Sequence, residues 1–341
     1  MKPARPINII GGGLAGLSLG LALRRAGVPV TVSESGTYPR HRVCGEFISG
    51  LSPATIEHLG LGPHVHDALR HDRIAWFMNG ELTRTQRLPS PALALSRHRL
   101  DARLAQALTE AGGRLLTNTR VNEPPTGEGW VVATGRRRSS PSWIGLKIHA
   151  RNLRLVCELE LHLGEQAYLG LTRVEDGAVN ICGLFRRREL SAKGPALLLA
   201  YLQAAQLPAL ADRLAGADFD HHSFCAVAAV GFDRNVPAQA DRVTLGDACA
   251  MVPPFTGNGM AMAFQGAEAA LDPLRAYAHH ASDWPEACQA VRTALERRFR
   301  LRLAAADLLH PFLLQPARQR WLHRLNRAHL LPLRPLYAVL H

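Results

Sequence analysis

The sequence predicts an α/β protein: a Rossmann-like parallel sheet assembled from discontinuous stretches, an inserted domain on an antiparallel sheet, and a helical C-terminus. Three observations carry this prediction. A strand, glycine loop, helix and second strand open the chain; apolar residues alternate with polar ones through its middle; helical stretches interrupted by prolines close it.

The opening unit is INIIGGGLAGLSLGLALRRAGVPVTVSES. Ile7 to Ile10 read as a buried strand, Leu14 to Ala26 as a helix closed by Gly27, and Pro29 to Ser33 as a second strand. Gly11, Gly13 and Gly16 have G-x-G-x-x-G spacing. The first glycine permits a tight turn, the second lets a pyrophosphate approach the backbone, and the third lets helix and strand pack closely. Leu14 and Ala15 open the helix, so its free N–H groups and positive dipole end face the phosphates. Glu34, eighteen residues after Gly16 and followed by Ser35, ends the second strand where a carboxylate can accept ribose hydroxyls. The order of these elements predicts a dinucleotide-binding domain.

The stretch HRVCGEFISG (residues 41–50) follows. Arg40 and Arg42 lower the pKa of the Cys44 thiol if they point toward it, whereas burial raises it. Cys44 is therefore read either as a wall residue of a cavity or as a nucleophile, and Glu46 as a proton donor or polar anchor.

In the middle, GLKIHARNLRLVCELELHL and GAVNICGLF alternate with a period of two, which suits an antiparallel sheet with one covered face. Lys147 and His149 share one face of the first of these strands. They line either an active cavity or a solvated strand surface.

Far down the chain, DRVTLGDACAMVPPFTGNGMAMAFQGAEAAL reads as a strand ending at Gly246-Asp247, a Pro-Pro turn, a Gly-Asn-Gly loop, and a helix from about Met260. Asp247 is placed to accept hydrogen bonds from a polyol chain. Gly257 and Gly259 let backbone N–H groups reach a ring carbonyl or a phosphate, with Pro254, Asn258 and Met260 completing the loop.

The predicted division assigns residues 1–70, 97–142 and 235–290 to the dinucleotide-binding domain and residues 71–96 and 143–234 to an inserted substrate domain. Residues 291–341 form a helical segment interrupted at Pro311, Pro316, Pro332 and Pro335. At 341 residues the chain is long enough for two cores.

Composition narrows the function. No apolar run is long enough to span a bilayer, and no leader peptide is legible, so the expected location is the cytoplasm. Six cysteines lie far apart, without Cys-x-x-Cys or zinc spacing, and no metal is expected. The His64/His66, His221/His222 and His279/His280 pairs are read as surface or turn residues. The formal charge of +12 favours acidic partners. No Asp or Glu follows Asp307, whereas Arg318, Arg320, Arg324, Arg327 and Arg334 do, interleaved with leucines and Trp321. This pattern fits a peripheral membrane contact or a packed helix with a solvated arginine face. Nucleic acid is not expected, because aromatics are 6% of the chain and no recognised binding module is present.

The two glycine regions together resemble the FAD fingerprints of the flavoprotein superfamily that contains para-hydroxybenzoate hydroxylase, geranylgeranyl reductase and flavin-dependent halogenases. SRHRLDARLAQALTEAGG is similar to that superfamily's Ser-Arg-x-x-Leu-Asp helix. The resemblance implies FAD as cofactor, with Glu34 at the adenosine ribose, Arg97 against FAD, Asp247 at the ribityl chain, and residues 254–259 beside the flavin ring. In the resembling reductases the Cys-Gly segment lies beside the flavin and substrate cavity. The chain departs from these families in three ways. VNEPPTGEGWVVATGRRRSS gives Ala133-Thr134-Gly135 where hydroxylases have Ala-Asp-Gly, the halogenase Trp-x-Trp-x-Ile-Pro sequence is missing, and Leu171-Thr172-Arg173 replaces the aromatic half of the prenyl-reductase strand pair.

The resemblance implies an FAD-dependent oxidoreductase. The leading expectation is an NAD(P)H-driven monooxygenase that hydroxylates an aromatic or polyketide-like apolar small molecule, with the nicotinamide binding transiently. The alternatives are a geranylgeranyl-reductase-like flavin reductase of carbon–carbon double bonds in an apolar chain, and a non-catalytic flavin-binding protein.

Overall fold

A computed structural model describes residues 2–123, 125–135, 142–230, 241–249, 257–327, 330 and 333–340. The opening unit forms β1 (Ile7–Ile10), α1 (Leu14–Arg25) and β2 (Val30–Ser33), with β1 and β2 parallel and Ile7 opposite Val30. Short β3 (Phe47–Ile48), α2 (Pro53–His58) and α3 (Gly62–Val65) follow. Ser52 Oγ accepts the Thr55 N–H at 3.1 Å and starts α2.

A long hairpin of β4 (Leu69–Met78) and β5 (Glu81–Ala94) turns at Asn79 and Gly80, both at positive φ as a tight hairpin turn requires. Next come α4 (Arg97–Glu110), β6 (Arg114–Leu116) and β7 (Trp130–Val132). The middle of the chain supplies β8 (Trp143–Arg151), β9 (Leu159–Gly164), β10 (Ala167–Arg173) and β11 (Val179–Arg186). Helices α5 (Pro195–Ala204) and α6 (Pro208–Ala215) lead into β12 (Asp218–Ala228) and β13 (Val243–Thr244). The chain closes with α7 (Asn258–Ala278), α8 (Trp284–Leu314), α9 (Pro316–Arg327) and α10 (Leu333–Leu340).

The first sheet is five-stranded and parallel, in the order β13-β7-β1-β2-β6. Its strands carry Ile7, Ile9, Val32 and Val131 into one core with residues of α1, α4 and α7. The second sheet has eight strands in the order β12-β8-β11-β10-β9-β4-β5-β3. Its pairs are antiparallel except β4 with β9, which is parallel, so the sheet is mixed rather than purely antiparallel as expected. Alternation of apolar residues reports which face is covered and carries no signal for a partner strand's direction. β3, from within residues 1–70, also joins this sheet.

One face of the second sheet is closed by α5 and α6, with Leu146, Ile148, Leu171 and Ile181 packed against Leu198, Leu202, Leu210 and Leu214. A buried polar group lies at its edge: Arg213 of α6 donates to Glu160 at 2.8 Å, and Glu160 also meets His162, whose ring stacks on Phe77 at 4.2 Å.

Asp283 and Glu286 form a capping box at the start of α8. Pro311 does not break α8, which runs on to Leu314. A proline φ near −65° is itself helical, so the ring removes one hydrogen bond without forcing a break, and Leu314 is anchored in the apolar cluster of the second sheet. Pro316 opens α9 and Pro335 lies inside α10, whereas Pro332 is outside the described residues.

Candidate flavin and substrate site

The glycine loop between β1 and α1 is fixed by close backbone packing. Gly11 has φ +110°, and a Cβ there would lie 2.2 Å from the Ala133 carbonyl oxygen; a Cβ on Gly16 would lie 2.0 Å from the Gly11 oxygen. Gly13 differs. It caps α1 with no side-chain hydrogen bond, and a Cβ on it would meet nothing within 4 Å. No side chain at Gly13 covers the N-terminus of α1, which is what an anion approaching the first N–H groups of the helix requires.

Glu34, at the end of β2, is buried and densely partnered. Its oxygens accept from Gly12 N (2.9 Å), Gly36 N (2.9 Å), Ser35 Oγ (3.0 Å) and Arg40 Nη2 (2.6 Å), with Arg42 Nη2 at 3.4 Å. Burial opposes ionisation of Glu34, but the Arg40 and Arg42 guanidiniums and the Gly36 N–H outweigh it and hold the carboxyl below its usual range. Arg42 also reaches Asp101 (3.1 Å), which takes a two-point bond from Arg97 at 2.7 and 2.8 Å. Asp101 of the Ser-Arg-x-x-Leu-Asp helix thus orients Arg97. Three guanidiniums against two carboxylates leave a net positive collar beside the glycine loop.

At the second glycine region, Gly246 and Asp247 form a single 3-10 turn after β13, and Gly246 has φ +61°. Gly257 caps α7 with φ 69°, and a Cβ there would lie 2.2 Å from Phe47 Cδ1. Gly259 faces open space, Asn258 and Met260 are buried, and Pro254 lies outside the described residues. The two loops, the cationic collar and the open ground over Gly13 and Gly259 fit an FAD. Gly11, Gly13, Leu14, Ala15, Gly16, Glu34, Ser35, Arg42, Arg97 and Asp247 are the residues that would hold it.

Between this region and the second sheet lies a buried polar cluster. Glu46 Oε2 stands 2.6 Å from His149 Nε2, and Glu46 Oε1 accepts the Arg97 N–H at 3.0 Å. That N–H opens α4, so the carboxylate also gains from the helix dipole. Lys147 Nζ lies 2.9 Å from His41 Nδ1 and 3.5 Å from Glu46 Oε1, and both Lys147 and Glu46 are fully buried. Burial raises the cost of ionising Glu46, but the His149 hydrogen bond, the Lys147 charge and the Arg97 N–H hold its pKa below the usual value. Burial first, and the Lys147 charge second, push His41 down to about 4. His41 is then neutral near pH 7, and its Nδ1 accepts from the lysine ammonium. Its ring stacks on half-buried His98 at 4.4 Å, toward the surface.

Glu46 has φ 54°, a left-handed conformation that costs a non-glycine residue about 1–3 kcal/mol. The contacts of its carboxylate and the Asn180 Nδ2 bond to the Cys44 carbonyl (3.0 Å) hold the turn. Cys44 Sγ accepts the Glu46 N–H at 3.5 Å, and burial pushes its thiol pKa up with only partial offset from Arg97. That disfavours the thiolate a nucleophile needs and suits a wall residue.

The ligand atoms of His41, Glu46 and His149 all lie within 4.8 Å of one another, a donor set that sequence spacing does not reveal. The Lys147 ammonium stands among them, so the protein supplies its own cation there.

Lys147 and His149 lie on the sheet face opposite α5 and α6. Cys182 of β11 and Cys225 of β12 flank Lys147 on the neighbouring strands, and Asn180 is opposite His149. Away from this polar edge the same face continues through Gly170 to Leu161, Leu163, Tyr168 and Leu184, part of an apolar cluster with Ile74, Met78 and Leu314. Gly170 and Cys182 are only partly buried in the middle of this face. A Cβ on Gly170 would meet only the Cys182 carbonyl, at 3.8 Å. The face therefore has a polar end with acid–base groups, an open centre and an apolar end.

His41, Asp101, Asn180 and Gly170 were not singled out from sequence, although His41 and Asn180 sit inside the HRVCGEF and GAVNICG stretches. Their signal was adjacency to Glu46 and strand parity with His149.

Residues 5–142 match the family described as FAD binding domain. Over 120 residues the chain is 31% identical to a menaquinone reductase of Mycobacterium tuberculosis (strain ATCC 25618 / H37Rv), a match spanning 34% of this chain and 29% of that protein. Among solved structures, p-nitrophenol 4-monooxygenase PnpA from Pseudomonas putida DLL-E4 superposes with a TM-score of 0.76 at 15% identity, covering 100% of this chain and 97% of that one. Klebsiella pneumoniae HpxO complexed with FAD and uric acid superposes with a TM-score of 0.76 at 15% identity, covering 98% and 96%.

Proposed function

We propose that the chain, whose residues 5–142 match the FAD binding domain family, is a flavoprotein of the superfamily containing para-hydroxybenzoate hydroxylase and an NAD(P)H-driven monooxygenase. Its substrate is an aromatic or polyketide-like apolar molecule bearing a hydroxyl group. The observation that carries this reading is the joining of the Glu46–His149 pair to an apolar face through the open centre at Gly170. Such a surface fits an apolar body with one ionisable head.

FAD, when bound, would supply the redox chemistry that links nicotinamide oxidation to oxygen. The chain's own residues do the rest. His149 takes the proton of the substrate hydroxyl while Glu46, held ionised, orients the ring and stabilises the charge it gains. The Lys147 ammonium lies close enough to stabilise the resulting anion, and His41 and His98 lead from Lys147 toward the surface. Leu161, Tyr168 and Leu184 exclude water from the apolar part of the substrate.

Purified protein loaded with FAD should oxidise NADH or NADPH with matching oxygen uptake, stimulated by a hydroxylated aromatic with an apolar chain. Turnover that proceeds equally well without oxygen overturns the reading. A second reading, reduction of a carbon–carbon double bond in an apolar chain, is favoured by the 31% identity to a menaquinone reductase over 120 residues. It requires product formation under anaerobic conditions, with His149 giving a proton to carbon rather than taking one from oxygen.

A further inference from the structure

We propose that the C-terminal helices α8, α9 and α10 dock the protein on an anionic lipid surface. Of the seven large apolar side chains exposed among the described residues, five fall after residue 300: Leu301, Leu308, Trp321, Leu330 and Val339. Leu301 and Leu308 are two helical turns apart on α8 and so share a face. On α9, Gln319 is turned inward, its side-chain N–H donating to the Gly164 carbonyl at 2.8 Å. Trp321 stands about 160° round the helix from Gln319 and is 61% exposed. Arg320 and Arg324 are exposed on the same outward half, and exposed Arg318 places its guanidinium 5.5 Å from the Phe312 ring.

Two features select a membrane as the occupant. No Asp or Glu follows Asp307 in the sequence, so on α9 and α10 arginine and outward-facing apolar residues are interleaved without acidic side chains. Guanidiniums at that depth meet headgroup phosphates, while Trp321 and the leucines enter the boundary between headgroups and acyl chains. Among the described residues no helix is long and apolar enough to cross a membrane, so the contact lies in the interfacial plane.

Docking here also bears on the site. α9 is bonded to the turn between β9 and β10, Leu314 at the end of α8 belongs to the apolar face, and Tyr337 of α10 is hydrogen-bonded to Ser49 at 3.1 Å. The lipid surface would thus lie beside the apolar end of the site, where a lipid-dissolved molecule can be taken up. The docking itself does not depend on which reaction follows.

The test is cosedimentation of the full-length, FAD-loaded protein with vesicles of phosphatidylglycerol mixed with phosphatidylcholine, and with phosphatidylcholine alone. Wild type should partition to the mixed vesicles and come off as salt is raised. R318Q/R320Q/R324Q should lower the partition coefficient by about 100-fold, and W321S should lower it without changing the salt slope. Unchanged melting temperature and flavin absorption in both variants separate lost docking from lost folding. Equal partition of wild type and the arginine variant overturns the proposal, as does absence of wild-type binding to the mixed vesicles. A concentration-dependent dimer that W321S abolishes, with no vesicle binding, assigns the surface to a second copy instead.

Discussion

Glu46 Oε2 and His149 Nε2 stand 2.6 Å apart although 103 residues separate them in the chain. One belongs to the segment after β2 and the other to β8 of the second sheet. Their hydrogen bond ties the segment after β2 to the second sheet at a buried point, beside the Lys147 ammonium.

Replacing Glu46 with Gln should keep the shape and remove the charge. Because the folded pKa of Glu46 lies below 4.5, its ionised form stabilises the fold above that pH, and this contribution is lost as pH falls through the folded value. The urea midpoint of wild type should therefore fall more steeply than that of E46Q as pH drops below the ordinary carboxylate range. Parallel curves would show that Glu46 gains nothing from its partners. Turnover near pH 7 should fall by about 100-fold or more if the pair handles the substrate proton.

Lys147→Met removes the ammonium and leaves His41 in place. The His41 pKa should rise from about 4, yet stay below 6.5, because burial is the larger cause of its depression. Ring proton shifts of His41 followed by NMR across the acid range measure this directly. No movement would place the Lys147 nitrogen away from His41 in solution.

Gly13 and Gly16 separate cofactor from packing. Gly13→Ala adds a methyl where no protein atom lies within 4 Å, so the melting temperature of the apoprotein should hold while FAD affinity drops by about tenfold, or 1.4 kcal/mol. Gly16→Ala drives a Cβ into the Gly11 oxygen and should lower stability before any cofactor is added. Full FAD affinity in Gly13→Ala would move the pyrophosphate elsewhere.

Gly170→Leu should fill the open centre of the sheet face. Bound flavin and melting temperature should stay near wild type, whereas KM for a bulky apolar substrate should rise by about tenfold or more, with small substrates affected less. Equal effects on large and small substrates would mean that the space over Gly170 is not the substrate's.

The first sheet was legible because each of its cues is local: three glycines at fixed spacing, a terminal acid and an apolar helix lie within thirty residues. The Arg97–Asp101 pair was half legible, since i,i+4 spacing on a helix allows the contact while its burial depends on Arg42 from elsewhere. His41 was passed over because nothing local says that Lys147, 106 residues away, will point at it. Gly170 was invisible for a different reason, as emptiness above a residue depends on what the neighbouring strands fail to fill. The parallel β4–β9 pair lies beyond any pattern of alternation, and the passage of α8 through Pro311 depends on the anchoring of Leu314.

The last helix has two tethers: the Asn258 side chain donates to the Leu340 carbonyl at 2.6 Å, across 82 residues, and Tyr337 meets Ser49. Asn258 opens α7, so the start of α7 and the end of α10 hold one another in place. If binding at the start of α7 is coupled to the order of α10, linkage makes that coupling equal in both directions. Limited proteolysis of α10 with and without added FAD measures that coupling: slower cleavage in the presence of FAD is the expected outcome, and an unchanged rate would show the two ends to be independent.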